Sequence, residues 1–322
     1  MLIRSLVLKV AGWGWMESLV RKSFLFKPLV SRFIAGDTLA DGMKASEDLL
    51  SRGFYVSLDL LGENVSTKEE SDSAKASYIE MLHAIAKSNY FKPYKLSNSK
   101  PPLYEEIEPI NISIKLTQCG FDLSDEVAES NYREVLAIAK EYQTFVRVDM
   151  EGSPYTERTV ALIERVLPEF PNAGTVLQAY LHRTPSDLDR MMAMKARVRM
   201  VKGAYFEPAT IAFPAKATVD QKYVELSKQM LKEAHYPAIA SHDEAILREL
   251  IAYVNQEKIS KDSFEFQMIY GIRRDLQDWL IKEGFRVRIY VPFGDSWYPY
   301  FSRRLAERPA NMWFIFKSLF KG

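Results

Sequence analysis

The sequence predicts an α/β chain built as a single (β/α)8 TIM-type barrel behind a helical N-terminal segment. Three observations carry that expectation. From about residue 53, short β-rich runs alternate with amphipathic helical stretches, and eight such pairs fit into roughly 250 residues, the size of this barrel. Most of the β-rich runs are four to eight residues long and rich in Val, Ile, Phe or Tyr, as parallel strands covered on both faces are. No glycine-rich dinucleotide fingerprint follows the first run, which weighs against a doubly wound open sheet.

The expected strands are Phe54–Leu61, Asn111–Leu116, Phe145–Met150, Thr175–Tyr180, Val198–Val201, Ala238–Ser241, Ser263–Tyr270 and Arg286–Val291. Each is short and rich in Val, Ile, Phe or Tyr. The expected helices are Ser73–Lys87, Asp125–Glu141, Glu157–Leu167, Ser186–Lys195, Gln221–Ala234, Glu244–Gln256, Asp275–Glu283 and Tyr298–Leu305. Acidic residues open the second, as helix starts prefer. Thr184 is the expected N-cap of the fourth, with Pro185 in its first helical position. Gly284 stands where a C-terminal glycine closes the seventh. Residues 92–110, with Pro93, Pro101, Pro102 and Pro109, read as a long loop. The expected division is a helical segment over residues 1–50, packed on a barrel over residues 51–322.

Composition narrows the function classes. The chain has 322 residues, 47% hydrophobic and 26% charged, enough to bury a core without cross-links. With 43 basic and 42 acidic residues it carries no electrostatic signature for nucleic acid. A single cysteine, Cys119, excludes an internal disulfide and permits a reducing compartment. One cysteine and four histidines argue against a Cys/His zinc site, and no metal is expected.

In a barrel of this kind the active site lies at the C-terminal ends of the strands, so polar residues there are the candidates. Lys115 ends the second strand inside an apolar run, and Asp149, ending the third, is its expected partner, because an unpaired buried ammonium is costly. A structural ion pair is the alternative. The fifth strand carries Arg199, Lys202 and Tyr205, suited to an anionic or electron-rich ligand, or else ordinary polar groups of the barrel rim. Gly203 and Ala204 between them lack bulk, so a planar group can approach the backbone. His242, in Ser241-His242-Asp243, is either a catalyst or a structural hydrogen-bonder. The last helix presents Tyr300, Arg303, Arg304 and Glu307. Adjacent arginines diverge by about 100° on a helix, so both reach one carboxylate only near the helix axis or start, where guanidinium groups bind it in bidentate fashion. The alternative is a solvated basic face. Together these make a pocket for a small amino acid, with Tyr205, Tyr290 and Tyr300 as walls.

The strings VRVDMEGS, LHRTPSDL, VRMVKGAY, ASHD, FEFQMIYGI and VRIYVPFGDSWYPYFSRRLAERPAN resemble the proline dehydrogenase family from about residue 53 to residue 316. The chain is too short to include the aldehyde dehydrogenase part of bifunctional relatives, so it looks like a monofunctional member. The resemblance implies FAD as cofactor, L-proline as substrate, Δ1-pyrroline-5-carboxylate as product and a membrane quinone as electron acceptor. It also implies a pyrroline-carboxylate dehydrogenase as channelling partner. On the matching motifs, it implies that Lys115, Arg303 and Arg304 hold the proline carboxylate, and that Asp149 sits beside Lys115 and orients the substrate or the lysine. Tyr205, Tyr290 and Tyr300 would line the pocket, and Arg199 would lie by the reactive flavin nitrogen. Met150, Gln178, Val201, Lys202, Gly203, Ala204, Ser241, His242 and Gln267 would contact FAD, with Glu307 among the closing ion pairs. Two positions depart from the family pattern: Met200 stands where many relatives have leucine, and Ser241 where they often have threonine.

Three other readings compete: a Schiff-base lyase using Lys115 or Lys202, a non-catalytic amino-acid binder on the same barrel, and a folate-reducing flavoenzyme. Nowhere does the sequence run for about 18 apolar residues, so no spanning helix is expected. The amphipathic N-terminus and the apolar run Met312–Lys321 either pack on the barrel or rest on a membrane surface. The expected location is cytoplasmic, with attachment to the inner face of the cell membrane as the sharper alternative.

Overall fold

Strands form in short runs rich in β-branched and other apolar residues, and the hydrogen bonds of eight such runs close on one another. The computed structural model describes residues 14–23, 26–62, 65–96 and 104–307. Three helices come first: α1 (Gly14–Lys22), α2 (Lys27–Phe33) and α3 (Leu39–Ser51). Then follow β1 (Tyr55–Leu60), α4 (Lys68–Lys87), β2 (Lys95–Leu96), β3 (Tyr104–Glu106) and β4 (Ile110–Ile114). The alternation continues with α5 (Asp125–Glu141), β5 (Val146–Val148), α6 (Ser153–Val166), β6 (Ala173–Gln178), α7 (Thr184–Ala193) and β7 (Arg197–Val201). It ends with α8 (Lys216–Glu233), β8 (Ala238–Ala240), α9 (Glu244–Gln256), β9 (Glu265–Ile269), α10 (Arg274–Lys282), β10 (Val287–Phe293) and α11 (Tyr298–Glu307).

β1 and β4 to β10 form a closed parallel barrel in which β1 pairs with both β4 and β10. The predicted fold class is therefore the observed one. Several local expectations change, among them the start of α6, at Ser153 rather than Glu157. Residues 92–110 contain a two-stranded antiparallel ribbon, β2 with β3, rather than loop alone. α4 starts five residues before the expected Ser73, because the Thr67 hydroxyl and the Glu70 carboxylate cap each other's backbone amides. α8 likewise starts at Lys216 rather than Gln221. Thr184 is not an N-cap. It is already helical, and its hydroxyl donates to the Gln178 carbonyl instead, tying the start of α7 to the end of β6. Pro185 is thus the second helical residue. Gly284 does follow α10 with a left-handed φ of +78°.

The lower half of the barrel interior is ionic. Arg197 makes a bidentate pair with Glu108 at 2.9 and 3.0 Å, and Arg288 another with Glu265 at 2.8 and 3.0 Å. Arg147 donates to the carbonyls of Thr175 and Arg197, each at 3.1 Å. All five side chains are buried. The plug closes the bottom, so a ligand has access only from the C-terminal ends of the strands.

At that upper end Val20 of α1 and Leu29 and Phe33 of α2 join Leu61, Ile272, Trp297, Tyr298, Tyr300 and Phe301 in a separate apolar cluster, with Ile269 of β9 packed against it, so these helices brace α11 and the β9–α10 turn. The Arg21 guanidinium lies 4.6 Å from the centre of the Trp297 ring. Residues 1–13 and the Met312–Lys321 run lie outside the described residues. No helix among the described residues is long and apolar enough to cross a membrane.

Candidate active site

Side chains at the strand ends project into a cleft of about 820 Å³, within the size range of organic cofactor sites. Its lining includes every candidate residue named from the sequence except Glu307. Glu307 closes α11, and its side chain lies outside the described residues.

Arg199 sits at the floor, 5% exposed, and is no rim residue. Its Nη1 donates to Asp149 Oδ1 at 2.8 Å and its Nη2 to Ser113 Oγ at 3.1 Å, while its Nε donates to the Gln267 side-chain oxygen. The Tyr290 hydroxyl donates to Asp149 Oδ2 at 2.6 Å. Both oxygens of Asp149 are thus engaged.

The expected pairing of Lys115 with Asp149 is corrected. Lys115 Nζ donates to Asp59 Oδ1 at 2.7 Å. β1 neighbours β4 on the side away from β5, and Asp59, opposite Ser113 in register, comes up beside the lysine. Burial disfavours the Lys115 ammonium, but the charge of Asp59, reinforced by Asp149 and Glu151, overcomes it and holds the lysine above its ordinary range. Asp59 escaped notice although it carries the same signal as Lys115, a charge inside an apolar strand. Glu151 was also missed as a lining residue. It accepts from the Thr117 hydroxyl at 2.7 Å, and burial raises its carboxyl against the pull of that bond and of Lys115.

Lys202 reaches away from the floor to Asp220 and, at 3.1 Å, to Asp243, two partners the sequence did not suggest. His242 lines the cleft, yet its Nε2 accepts from the Ile269 amide at 2.8 Å, which in the neutral ring puts the proton on Nδ1. α11 brings Tyr300, Arg303 and Arg304 over the opening, with the Arg304 guanidinium 5.3 Å from the centre of the Tyr300 ring. The two arginines therefore belong to the cleft rather than to a solvated face. Tyr205 forms part of the opposite wall and is 44% exposed. Behind it Glu207 accepts from the Ser153 amide at 2.8 Å and hydroxyl at 2.6 Å, fastening the β7–α8 loop to the start of α6.

Two features fit a large planar cofactor with polar edges. Gly203 lines the cleft with a φ of +118°, and a Cβ there would collide with the Tyr180 ring behind it, so the position requires glycine and the cleft wall is bare backbone at this point. Gln178 lines the cleft, and its buried Oε1 has no hydrogen-bond partner among the described residues, an acceptor whose desolvation asks for a donor.

Residues 42–316 match the family model described as proline dehydrogenase. A proline dehydrogenase of Deinococcus radiodurans is 39% identical over 326 residues, covering 100% of this chain and 99% of that one. Proline dehydrogenase 1 of Bacillus subtilis strain 168 is 38% identical over 290 residues, 90% of each chain. Among solved structures, proline utilization A from Bdellovibrio bacteriovorus, inactivated by N-propargylglycine, superposes with a TM-score of 0.80 at 24% identity. That match covers 91% of this chain and 34% of the longer one, and it supports the barrel fold.

Proposed function

The chain belongs to the proline dehydrogenase family, and on that premise we propose that its cleft binds FAD and oxidises L-proline to Δ1-pyrroline-5-carboxylate, the first step of proline catabolism. The observation that carries the reading is the convergence of Lys115, Arg303 and Arg304 on one cleft whose floor is Arg199. FAD, when bound, supplies the two-electron acceptor for the hydride on the carbon beside the proline nitrogen.

This chain's residues do the rest. Lys115, Arg303 and Arg304 clamp the carboxylate, which fixes the ring and lowers the barrier by positioning. Tyr205, Tyr290 and Tyr300 wall the ring. The product is an imine, so the amine gives up a proton as well as the carbon its hydride. Asp149 holds Arg199 and Tyr290 in place through its two oxygens. Arg199 meets the negative charge that develops on reduction. Met150, Gln178, Val201, Lys202, Gly203, Ala204, Ser241, His242 and Gln267 hold the cofactor, with Glu307 closing over it. Electrons then pass to a membrane quinone, and the product to a pyrroline-carboxylate dehydrogenase. Both partners follow from the family likeness, as does a cytoplasmic site of action at the membrane surface.

A Schiff-base role is disfavoured, because it needs a neutral amine. Lys115 is held charged by Asp59, and Lys202 is gripped by two carboxylates. An anaerobic visible spectrum tests the proposal. Flavin bands that bleach on adding L-proline support it. Bound flavin that does not bleach removes the substrate, and failure to bind FAD removes the whole reading.

A further inference from the structure

Glu265 and Gln267 both point into the barrel from β9, one layer apart. Glu265 belongs to the ionic plug and is wholly buried, and it does not line the cleft. Gln267 does, and it bridges the two layers: its side-chain nitrogen donates to Glu265 Oε1, and its side-chain oxygen accepts from Arg199 Nε.

An amide can present either end, but here chemistry allows one. Glu265 accepts from Arg288 Nε at 2.8 Å, Arg288 Nη2 at 3.0 Å and the Tyr236 hydroxyl at 3.2 Å. Burial works against its ionisation, and Arg288, Arg197 and Arg147 overcome that, lowering its carboxyl to about 2. An ionised carboxylate has no proton to give, so the NH2 of Gln267 must face down. A guanidinium has only protons to give, so the oxygen must face up. With Asp149 and Ser113 on its other nitrogens, Arg199 is held at three points.

We propose that Glu265 is a positioning residue of this enzyme, which sets the polarity of the Gln267 amide and through it locks Arg199 in the orientation that stabilises reduced flavin. The inference rests on Arg199 being the flavin's partner. Without the carboxylate the amide is free to turn, present its NH2 to the guanidinium and push it off. Glu265 thus acts on the reaction from a layer below the ligand, without touching it.

The test is a double-variant cycle read as the reduction potential of bound FAD, measured spectroelectrochemically on the holoenzyme. Loss of the Arg199 lock lowers the potential, whereas loss of a negative charge acting through space raises it. Glu265→Leu, which leaves the Gln267 amide no acceptor below it, is therefore expected to lower the potential while Gln267 is present, and to raise it or leave it unmoved in Gln267→Leu. Flavin reduction by proline should slow roughly tenfold, the low end of losses from outer-layer partners, with FAD still bound. A shift of the same sign and size in both backgrounds, or none in either, overturns the proposal. Should Glu265→Leu fail to fold because Arg288 is left unpaired, Glu265→Leu/Arg288→Met, which removes both members of the buried pair, takes its place in the cycle and is read against Arg288→Met alone. Arg199→Met is the control. If it leaves the potential unmoved, the reading of the site itself falls. If it moves the potential and Glu265→Leu does not, only the positioning role falls.

Discussion

Lys115 Nζ and Asp59 Oδ1 lie 2.7 Å apart across neighbouring strands, with the aspartate wholly buried and the lysine opening on the cleft. The pair gives the cleft a cation that stays charged although it is largely out of water. Removing the aspartate leaves that cation buried without its counter-charge. Asp59→Ala should cost on the order of 3 kcal/mol of stability, as breaking a buried pair does, and should also raise the KM for proline. Chemical denaturation and steady-state kinetics on the same variant check both. Unchanged stability would mean that solvent reaches the lysine.

The two arginines of α11 should separate from the cofactor site. Arg303→Met or Arg304→Met is expected to weaken proline binding by about 100-fold, near the upper value for hydrogen bonds to a charged group, while FAD stays bound. Titration of the oxidised holoenzyme with a non-oxidisable proline analogue, followed by the flavin spectrum, measures this. Unchanged analogue affinity in both variants would sink the carboxylate clamp.

Glu207 fastens the loop that carries Tyr205 to the first turn of α6. Glu207→Gln keeps one acceptor and loses the charge-assisted bonds. The tyrosine wall then loosens, and KM for proline should rise several-fold, roughly 1 kcal/mol of lost hydrogen bonding, with kcat and FAD affinity little changed. A fall in kcat at constant KM would contradict a role confined to the wall.

Acid should destabilise the protein partly through His235. Burial, then Arg197 and Lys195, lower this imidazole from 6.5 to about 4. Above pH 6.5 it is neutral in both the folded and the unfolded chain and contributes nothing to the pH dependence. Between about 6.5 and 4 the unfolded chain takes up a proton that the folded chain refuses, so stability falls as pH falls. His235→Gln should flatten the stability profile across that window, seen by urea denaturation at a series of pH values. An unaltered slope would show that other groups carry it.

The barrel was legible because its signals are local. Periodicity, short apolar runs and turn residues mark each strand and helix independently of the others, so eight alternations were countable in the sequence and the closed barrel followed. Two of the changes are set by side chains reaching the backbone. The mutual capping of Thr67 and Glu70 lengthened α4, and the Thr184 hydroxyl went to Gln178 rather than to its own helix. For the cleft, the sequence placed residues at strand ends, and the closed barrel brings those ends together, so much of the lining was legible, while Glu151, Glu244 and Arg273 in the wall and Asp59 beneath Lys115 were not.

The pairings were not. Strand order around a closed barrel gives Lys115 two neighbouring strands, and the sequence does not say which supplies the carboxylate. The fold chose Asp59 for Lys115 and left Asp149 to Arg199 and Tyr290. The same holds for Gln267, whose amide has two chemically different ends and takes its direction from a carboxylate one layer below. Sequence by itself determined the architecture, the family and which side chains crowd the cleft, because those depend on local pattern and motif. Only the tertiary structure decided which charge answers which, because ion pairs and hydrogen bonds form between atoms about 3 Å apart, a distance that separation along the chain does not encode.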